Sequence, residues 1–301
     1  KAAKIGGAAR RIDIDVDGVR TRYLECGDGQ PLILVHGGSF GGHYCAAGWS
    51  LNMPGLGRHF RVLALDKIGC GWTDNPKTDE GYRIGASVAH LRGFMKALGL
   101  PSAFLAGHSR GGYAVTRLAL ESPEMVRALL VVSSATLMTR PNPIYREWDR
   151  QAAKLPDARA RCRFLATANS YSDAHVSDAW VEQLAAIEEL EKSREAARLL
   201  DRSTGRLWPM FEADLVARQA ETQAWIARDG IRLPTLVLWG MQDPSATFEP
   251  VGLDAIKLLM AHAPICEAHV FNHAGHYVFR EQQAAFDAVV IDFLRRHGAS
   301  H

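Results

Sequence analysis

The stretch Leu105-Ala106-Gly107-His108-Ser109-Arg110-Gly111-Gly112 joins two apolar segments of different period. Ala103 to Ala106 is a continuous apolar run of the kind buried strands carry, and Tyr113 to Leu120 has helical spacing. Between them stands Gly-x-Ser-x-Gly, a pentapeptide that holds a serine on a strained turn from strand to helix. The elbow needs unusual backbone angles and close packing of strand on helix, so a Cβ at Gly107 or Gly111 would clash. The following helix directs its first N–H groups toward developing negative charge. The pentapeptide alone recurs by chance. Its strand–turn–helix setting makes Ser109 a candidate nucleophile, and the remaining chain can be searched for the groups such a serine needs.

The 301 residues suffice for one large domain or a core with a smaller insert. The net charge of +2 predicts no strong attraction to nucleic acid or anionic membrane. No apolar run approaches the ~18–20 residues of a membrane span. Lys1 to Arg10 is small and basic without an apolar signal core, and the chain does not open on Met, so an upstream segment is left open. Five cysteines, Cys26, Cys45, Cys70, Cys162 and Cys266, show no Cys-x-x-Cys spacing. That speaks against a disulfide framework or a zinc site and for a reducing cytoplasm. A homodimer is compatible with the chain.

Outward from the elbow, apolar runs alternate with helical stripes. Arg11 to Val16, the turn Asp17-Gly18 and Val19 to Leu24 read as a hairpin. Pro31 to Val35, Arg61 to Leu65 and Ala128 to Val132 read as strands buried on both faces. Val88, Leu91, Phe94, Met95 and Leu98 form a helical stripe ended by Gly99. Strands resume at Pro234 to Trp239 and Ile265 to Phe271, and Gln282 to Arg296 is a closing amphipathic helix. This order predicts an α/β fold with a mainly parallel, doubly wound sheet. Residues 139–230 carry no convincing strand. Their stripes (Val176, Trp180, Leu184, Ile187, Leu190; then Ala196, Leu199, Leu200; then Leu215 to Ile226) predict an all-helical insert between core segments 1–138 and 231–301. Ser-Asp at 172–173 and at 177–178 are expected N-caps. Trp148, Trp180, Trp208 and Trp225 read as core of that insert.

A serine hydroxyl needs an adjacent base. In this architecture the order is Ser, acid, His, each at the carboxyl end of a strand. His276 follows the last strand beside Gly275, and Asp243 lies four residues after the strand ending at Trp239. Asp243 would orient the imidazole. His273 is the rival base. His273-x-x-His276 has no third ligand at a recognisable spacing, so no metal is expected. The oxyanion hole should pair the N–H of Arg110 with one from the loop after the first buried strand, Gly38 or, alternatively, Ser39. His108, inside the elbow, reads as structural or as a pocket wall.

His36-Gly37, Asp66-x-x-Gly69-x-Gly71-x-Thr73, Gly107-x-Ser109-x-Gly111, Gly240-x-x-Asp243 and Gly275-His276 together resemble the α/β-hydrolase superfamily, from about residue 10 to 297. The resemblance places a cap domain at the helical insert. Within the superfamily the chain is most similar to hydrolases of meta-ring-cleavage products, through Asp66 to Pro76, Gly107 to Leu137 and Phe271 to Glu281. That likeness implies carbon–carbon bond hydrolysis of a 2-hydroxy-6-oxo-dienoate, without metal or organic cofactor. It also implies a substrate-lining role for Ser39, His108 and Tyr277, and an arginine from the cap on the dienoate carboxylate, with Arg140, Arg146 and Arg163 as candidates. Arg110 and Arg280, beside the catalytic positions, are alternatives. Two features depart from the family pattern. The oxyanion loop is Gly38-Ser39-Phe40 rather than Ser/Gly/Pro-rich, and Tyr277 replaces the usual Trp. The competing activities are a carboxylesterase or lactonase with the same triad, and a ligand receptor on the hydrolase fold.

Overall fold

Odd and even residues of the buried strands face opposite ways, and the two sets build two separate cores. Ile33, Val35, Leu63, Leu65, Leu105, Leu129, Val131, Val237 and Trp239 belong to one. Leu32, Leu34, Val62, Ala64, Ala106, Leu130, Val132, Leu236 and Leu238 belong to the other. This is the two-residue period of a sheet covered on both faces. The protein is described by a computed structural model covering residues 4–5, 9–139 and 142–298.

The chain runs through β1 (Lys4–Ile5), β2 (Ala9–Val16), β3 (Val19–Cys26), β4 (Pro31–Val35), α1 (Met53–Leu56), β5 (Arg61–Leu65), α2 (Gly85–Ala97), β6 (Ala103–His108), α3 (Arg110–Glu121) and β7 (Val126–Val132). Five helices follow: α4 (Ile144–Ala152), α5 (Ala158–Ala168), α6 (Asp178–Glu188), α7 (Glu191–Leu199) and α8 (Trp208–Asp229). The sheet then closes with β8 (Thr235–Gly240), α9 (Leu253–His262), β9 (Cys266–Phe271), α10 (Val278–Glu281) and α11 (Gln283–His297). Among the described residues, nine strands lie in the order β1-β2-β3-β5-β4-β6-β7-β8-β9. Pairs from β5 to β9 are parallel, and β1, β2 and β3 form an antiparallel edge. Helices α2, α3 and α9 cover one face through Leu91, Phe94, Val115, Leu118 and Leu259. Helices α1 and α11 cover the other through Met53, Leu56, Phe286, Val290 and Phe293. The α/β fold and mainly parallel sheet expected from the sequence are those observed.

The helical stretch after β7 contains α4 and α5, which the apolar stripes did not announce. Helix α5 has few large apolar residues, and its start is fixed by Asp157 accepting from the Ala160 N–H at 2.7 Å. Ser177 caps α6 by accepting from the Trp180 N–H at 3.3 Å, and Ser172 caps the short turn at 173–175. The stretch does not keep a core to itself. Cys162, Ala166, Val181, Leu184 and Ile187 join the core holding Trp49 and Phe279. Phe211 and Ile226 of α8 join the core on the opposite side of the sheet. Trp148 and Trp180 are buried, while Trp208 and Trp225 are only partly so. Among the described residues, no helix is long and apolar enough to cross a membrane.

At Gly111 a Cβ would collide with the main-chain oxygens of Val35 and His36, so α3 can lie against β4 only if this residue is glycine. Gly111→Ala is expected to cost about 3 kcal/mol or more, as other overpacked sites do. Urea denaturation of the variant against the parent protein measures it.

Candidate active site

Ser109, between β6 and α3, has φ +53° and ψ −121°, a backbone conformation that L-residues rarely adopt and that surrounding structure must hold in place. Its N–H donates to the Val132 oxygen at 2.8 Å, and its own oxygen accepts from Ser134 Oγ at 2.6 Å. A Cβ at Gly107 would strike the Gly111 carbonyl, so both ends of the turn meet backbone to backbone. Arg110 is the first residue of α3. Its N–H, like those of Gly38 and Ser39, donates to no backbone oxygen in the described network. Gly38 has φ +68°, and a Cβ there would run into the Tyr44 ring.

Asp243 and His276 arrive from the ends of β8 and β9. A Cβ at Gly240 would clash with the Gly275 oxygen, so the two loops also approach through bare backbone. His276 Nδ1–H donates to Asp243 Oδ2 at 2.7 Å, and both side chains are buried. The other carboxylate oxygen, Oδ1, accepts from the N–H of Ser245 at 2.9 Å and of Ala246 at 2.7 Å, and from Ser245 Oγ at 3.2 Å. With Nδ1 engaged, the imidazole has Nε2 left for a substrate-side proton. His273, the rival base, is exposed and lies against Tyr171 at 5.3 Å between ring centroids.

His108 lies behind the elbow. Its Nε2–H donates to the His276 carbonyl at 2.9 Å, and its ring centroid is 4.4 Å from that of His276. Burial, helped by the neighbouring His276, holds its pKa well below the ordinary histidine value, so it stays neutral. Beneath the loop carrying Gly38, His36 accepts from the Lys67 N–H at 3.2 Å, donates to the Gly37 oxygen at 2.7 Å, and is kept neutral by burial and by Lys67. Tyr277 is buried against His108, His175 and Trp180. Burial, then the nearby phenols of Tyr44 and Tyr145, raise its pKa well above the ordinary tyrosine value.

The helical stretch is tied to this site at several points. The His276 N–H donates to the Asn169 oxygen at 3.0 Å. Glu281 accepts from the N–H groups of Gly275 at 2.9 Å, Tyr171 at 2.8 Å and Ser172 at 3.1 Å. Asn142 donates to the carbonyls of Pro244 at 3.1 Å and Ser245 at 2.8 Å, which seats the start of α4 on the Asp243 loop.

The arginines separate clearly. Arg280 is 3 % exposed and fully engaged. It donates to Gly48 O at 2.7 Å, Ser50 Oγ at 3.1 Å, and His175 O and Nδ1 at 3.2 Å, and its guanidinium carbon is 3.8 Å from the Trp180 ring centroid. It is a strut between core and helices and not an anion-binding group, because its donors are spent. Arg163 pairs with Asp178, and Arg146 is exposed. Arg140 lies outside the described residues. Arg110 instead donates from Nη1 to Ser39 Oγ, with its guanidinium carbon 5.2 Å from the Phe211 ring centroid. Lys67, two residues after β5, points its Nζ at the Gly38 oxygen at 2.6 Å. No sequence period marks it, because its place depends on β5 lying beside β4 in the sheet.

Of the pair His273-x-x-His276, His273 is exposed beside Tyr171, while His276 Nδ1 is engaged by Asp243. Elsewhere among the described residues, His43, Cys162 and Glu188 bring ligand atoms within 4.8 Å of one another. There Cys162 Sγ donates to Glu188 Oε2 at 3.3 Å, and Arg161 neutralises the same carboxylate.

The family model for the alpha/beta hydrolase fold matches residues 30–282. A 2-hydroxy-6-oxo-2,4-heptadienoate hydrolase of Pseudomonas putida is 31% identical over 282 residues, 92% of this chain and 93% of its own length. A 2-hydroxymuconate semialdehyde hydrolase of a Pseudomonas species is 31% identical, covering 96% of this chain and 95% of its own. Among solved structures, the 2-hydroxy-6-oxo-6-phenylhexa-2,4-dienoate hydrolase of a Rhodococcus species superposes with a TM-score of 0.76 at 22% identity, over 96% of this chain and all of that one, which is a likeness of fold.

Replacing Glu281 by Ala leaves three N–H groups, two of them in the helical stretch, without their acceptor. Glu281→Ala is expected to lower stability by about 1–3 kcal/mol. Proteolysis should then cut first near residues 170–172, which limited elastase or chymotrypsin digestion with mass mapping would reveal.

Proposed function

Since the chain belongs to the alpha/beta hydrolase fold family, we propose that it is a serine hydrolase that breaks a carbon–carbon bond in a 2-hydroxy-6-oxo-dienoate. Ser109 is the nucleophile, His276 the base and Asp243 the group that orients it. The N–H groups of Arg110 and of Gly38 or Ser39 form the oxyanion hole. The observation that carries the assignment of base and acid is the buried His276 Nδ1–Asp243 Oδ2 hydrogen bond of 2.7 Å. Such a bond fixes the tautomer and stabilises the imidazolium that forms when the base takes a proton. The substrate class is supported by relatives about 30% identical over nearly the whole chain.

In this reading the dienol first becomes its 2-oxo tautomer by moving a proton from the 2-hydroxyl to carbon 5, with His276 as a proton carrier. Ser109 Oγ then adds to the 6-carbonyl as His276 Nε2 takes the hydroxyl proton. The alkoxide is held by the oxyanion N–H groups, which act most strongly where water is excluded. Collapse breaks the bond between carbons 5 and 6. The departing carbanion is stabilised as an enolate by the 2-oxo group and takes a proton from the imidazolium. Water, activated by His276, then hydrolyses the acyl-serine. The helical stretch 139–230 serves as the cap that covers the substrate.

A purified sample should bleach the yellow dienol chromophore of such a substrate. Ser109→Ala should lower kcat for bleaching by on the order of 10³-fold or more. Asp243→Asn should lower it by about 10⁴-fold, through loss of the acceptor that fixes the His276 tautomer. Hydrolysis of a short nitrophenyl ester without any bleaching would instead identify a carboxylesterase. Tight ligand binding without turnover of either would identify a receptor.

A further inference from the structure

Two cations converge on consecutive residues of the loop that carries the oxyanion donors. Lys67 is 2 % exposed and donates from Nζ to the carbonyl of Gly38 at 2.6 Å. Arg110, half-buried, donates to the side chain of the next residue, Ser39. Neither has a carboxylate partner among the described residues. Asp66, next to Lys67 in sequence, spends its two oxygens on the N–H groups of Ala46 at 2.6 Å and Trp72 at 2.9 Å. Arg202, the other cation near Arg110, is already paired with Asp149. The groups that bear on Lys67 are the Cys70 thiol and Arg110 itself. Those that bear on Arg110 are Arg202, the phenols of Tyr145 and Tyr44, and the Cys70 thiol.

Burying a charge without a partner is costly, and burying two of the same sign side by side is costlier. Burial pushes the Lys67 ammonium down to about 8, with Arg110 adding to it, and burial likewise lowers Arg110. Arg280, the buried arginine beside the site, is satisfied by carbonyls and an aromatic face. Among the described residues Arg110 has one side-chain acceptor, Ser39 Oγ, for a fork of five N–H donors, and it borders Ser109. An anion bound there would be part of the molecule that Ser109 attacks.

We propose that Lys67 and Arg110 form an anion seat on the oxyanion loop that takes a carboxylate of the substrate. The seat belongs to the core of the fold and not to the helical stretch. Arg110 grips the carboxylate through its planar fork. Lys67 is a positioning residue, which holds the Gly38 carbonyl and adds a second positive charge behind the seat. The proposal rests on the hydrolase reading above only for the identity of the anion as substrate.

The test uses the full chain at pH 7 and fixed ionic strength. Benzoate should raise the Tm of the parent protein, while benzamide and equimolar chloride should not, because a ligand stabilises the state it binds. The benzoate shift should vanish in Arg110→Met and shrink in Lys67→Met. In turnover, kcat/KM for a 2-hydroxy-6-oxo-dienoate over that for its methyl ester should fall by about 10–100-fold in Arg110→Met, the loss of a charge-assisted contact. Arg110→Lys should recover part of that preference. Lys67→Met should have a Tm no lower than the parent, since it removes a buried charge without a counter-ion. A benzoate shift that survives Arg110→Met, or an acid-over-ester preference unchanged in both Met variants, overturns the seat. So does a Lys67→Met protein that melts several degrees lower with its benzoate shift intact, which marks a structural lysine. If no dienoate is turned over at all, the reaction assignment fails while the benzoate series still decides the seat.

Discussion

Around Ser109 the structure depends on main chain touching main chain with no side chain between. Gly107 and Gly111 let β6, the elbow and α3 close on one another and on β4, and Gly240 lets the loop after β8 meet the loop after β9. A strained serine at φ +53° is retained because hydrogen bonds from both sides hold it, at the Val132 oxygen and at Ser134 Oγ. Strain of that kind persists only where neighbours over-determine the backbone. The same contacts set where Asp243 and His276 emerge, since each follows a parallel strand whose register is fixed by its neighbour.

The site is assembled between two bodies of packing. Asp243 is oriented from below by Ser245 and Ala246, and His276 is held from the side by Asn169 and from behind by His108. Glu281 and Arg280 extend these ties into the helical stretch, one through main-chain N–H groups and the other through the His175 carbonyl and Trp180. Helices of this stretch lend apolar residues to both cores of the sheet. Movement of the stretch as a free lid would therefore break buried polar and apolar contacts together. Gly38, Ser39, Tyr44, Ser109, Arg110 and Tyr145 keep partial exposure.

Charge is distributed unevenly around Ser109 and the loop carrying Gly38. His36 and His108 are neutral, and Asp243 faces His276. The positive charges of Lys67 and Arg110 lie against Gly38 and Ser39, on the loop proposed to hold developing negative charge. Preorganised positive groups in a low-dielectric pocket stabilise such charge without reorganisation, and they burden the folded state when the pocket is empty.

The sequence by itself determined the sheet, the elbow and the chain order of Ser109, Asp243 and His276. These follow from local rules: apolar runs mark strands buried on both faces, and glycine at fixed spacing marks backbone that must approach backbone. Strand ends such as Pro31 and Val35 or Arg61 and Leu65 coincide with those observed, because in them burial and periodicity say the same thing. Helices α4 and α5 were not legible, since their stability comes from caps and from neighbours supplied by distant parts of the chain. The fate of each arginine was equally closed to sequence reasoning. Arg280 and Arg110 both stand beside site residues, yet one is saturated by carbonyls more than 200 positions away and the other is left with open donors. Lys67 reaches Gly38 only because β5 lies beside β4. Whether a buried charge is a strut or a binding group depends on which partners the fold brings within hydrogen-bond distance, and only the tertiary structure decides that.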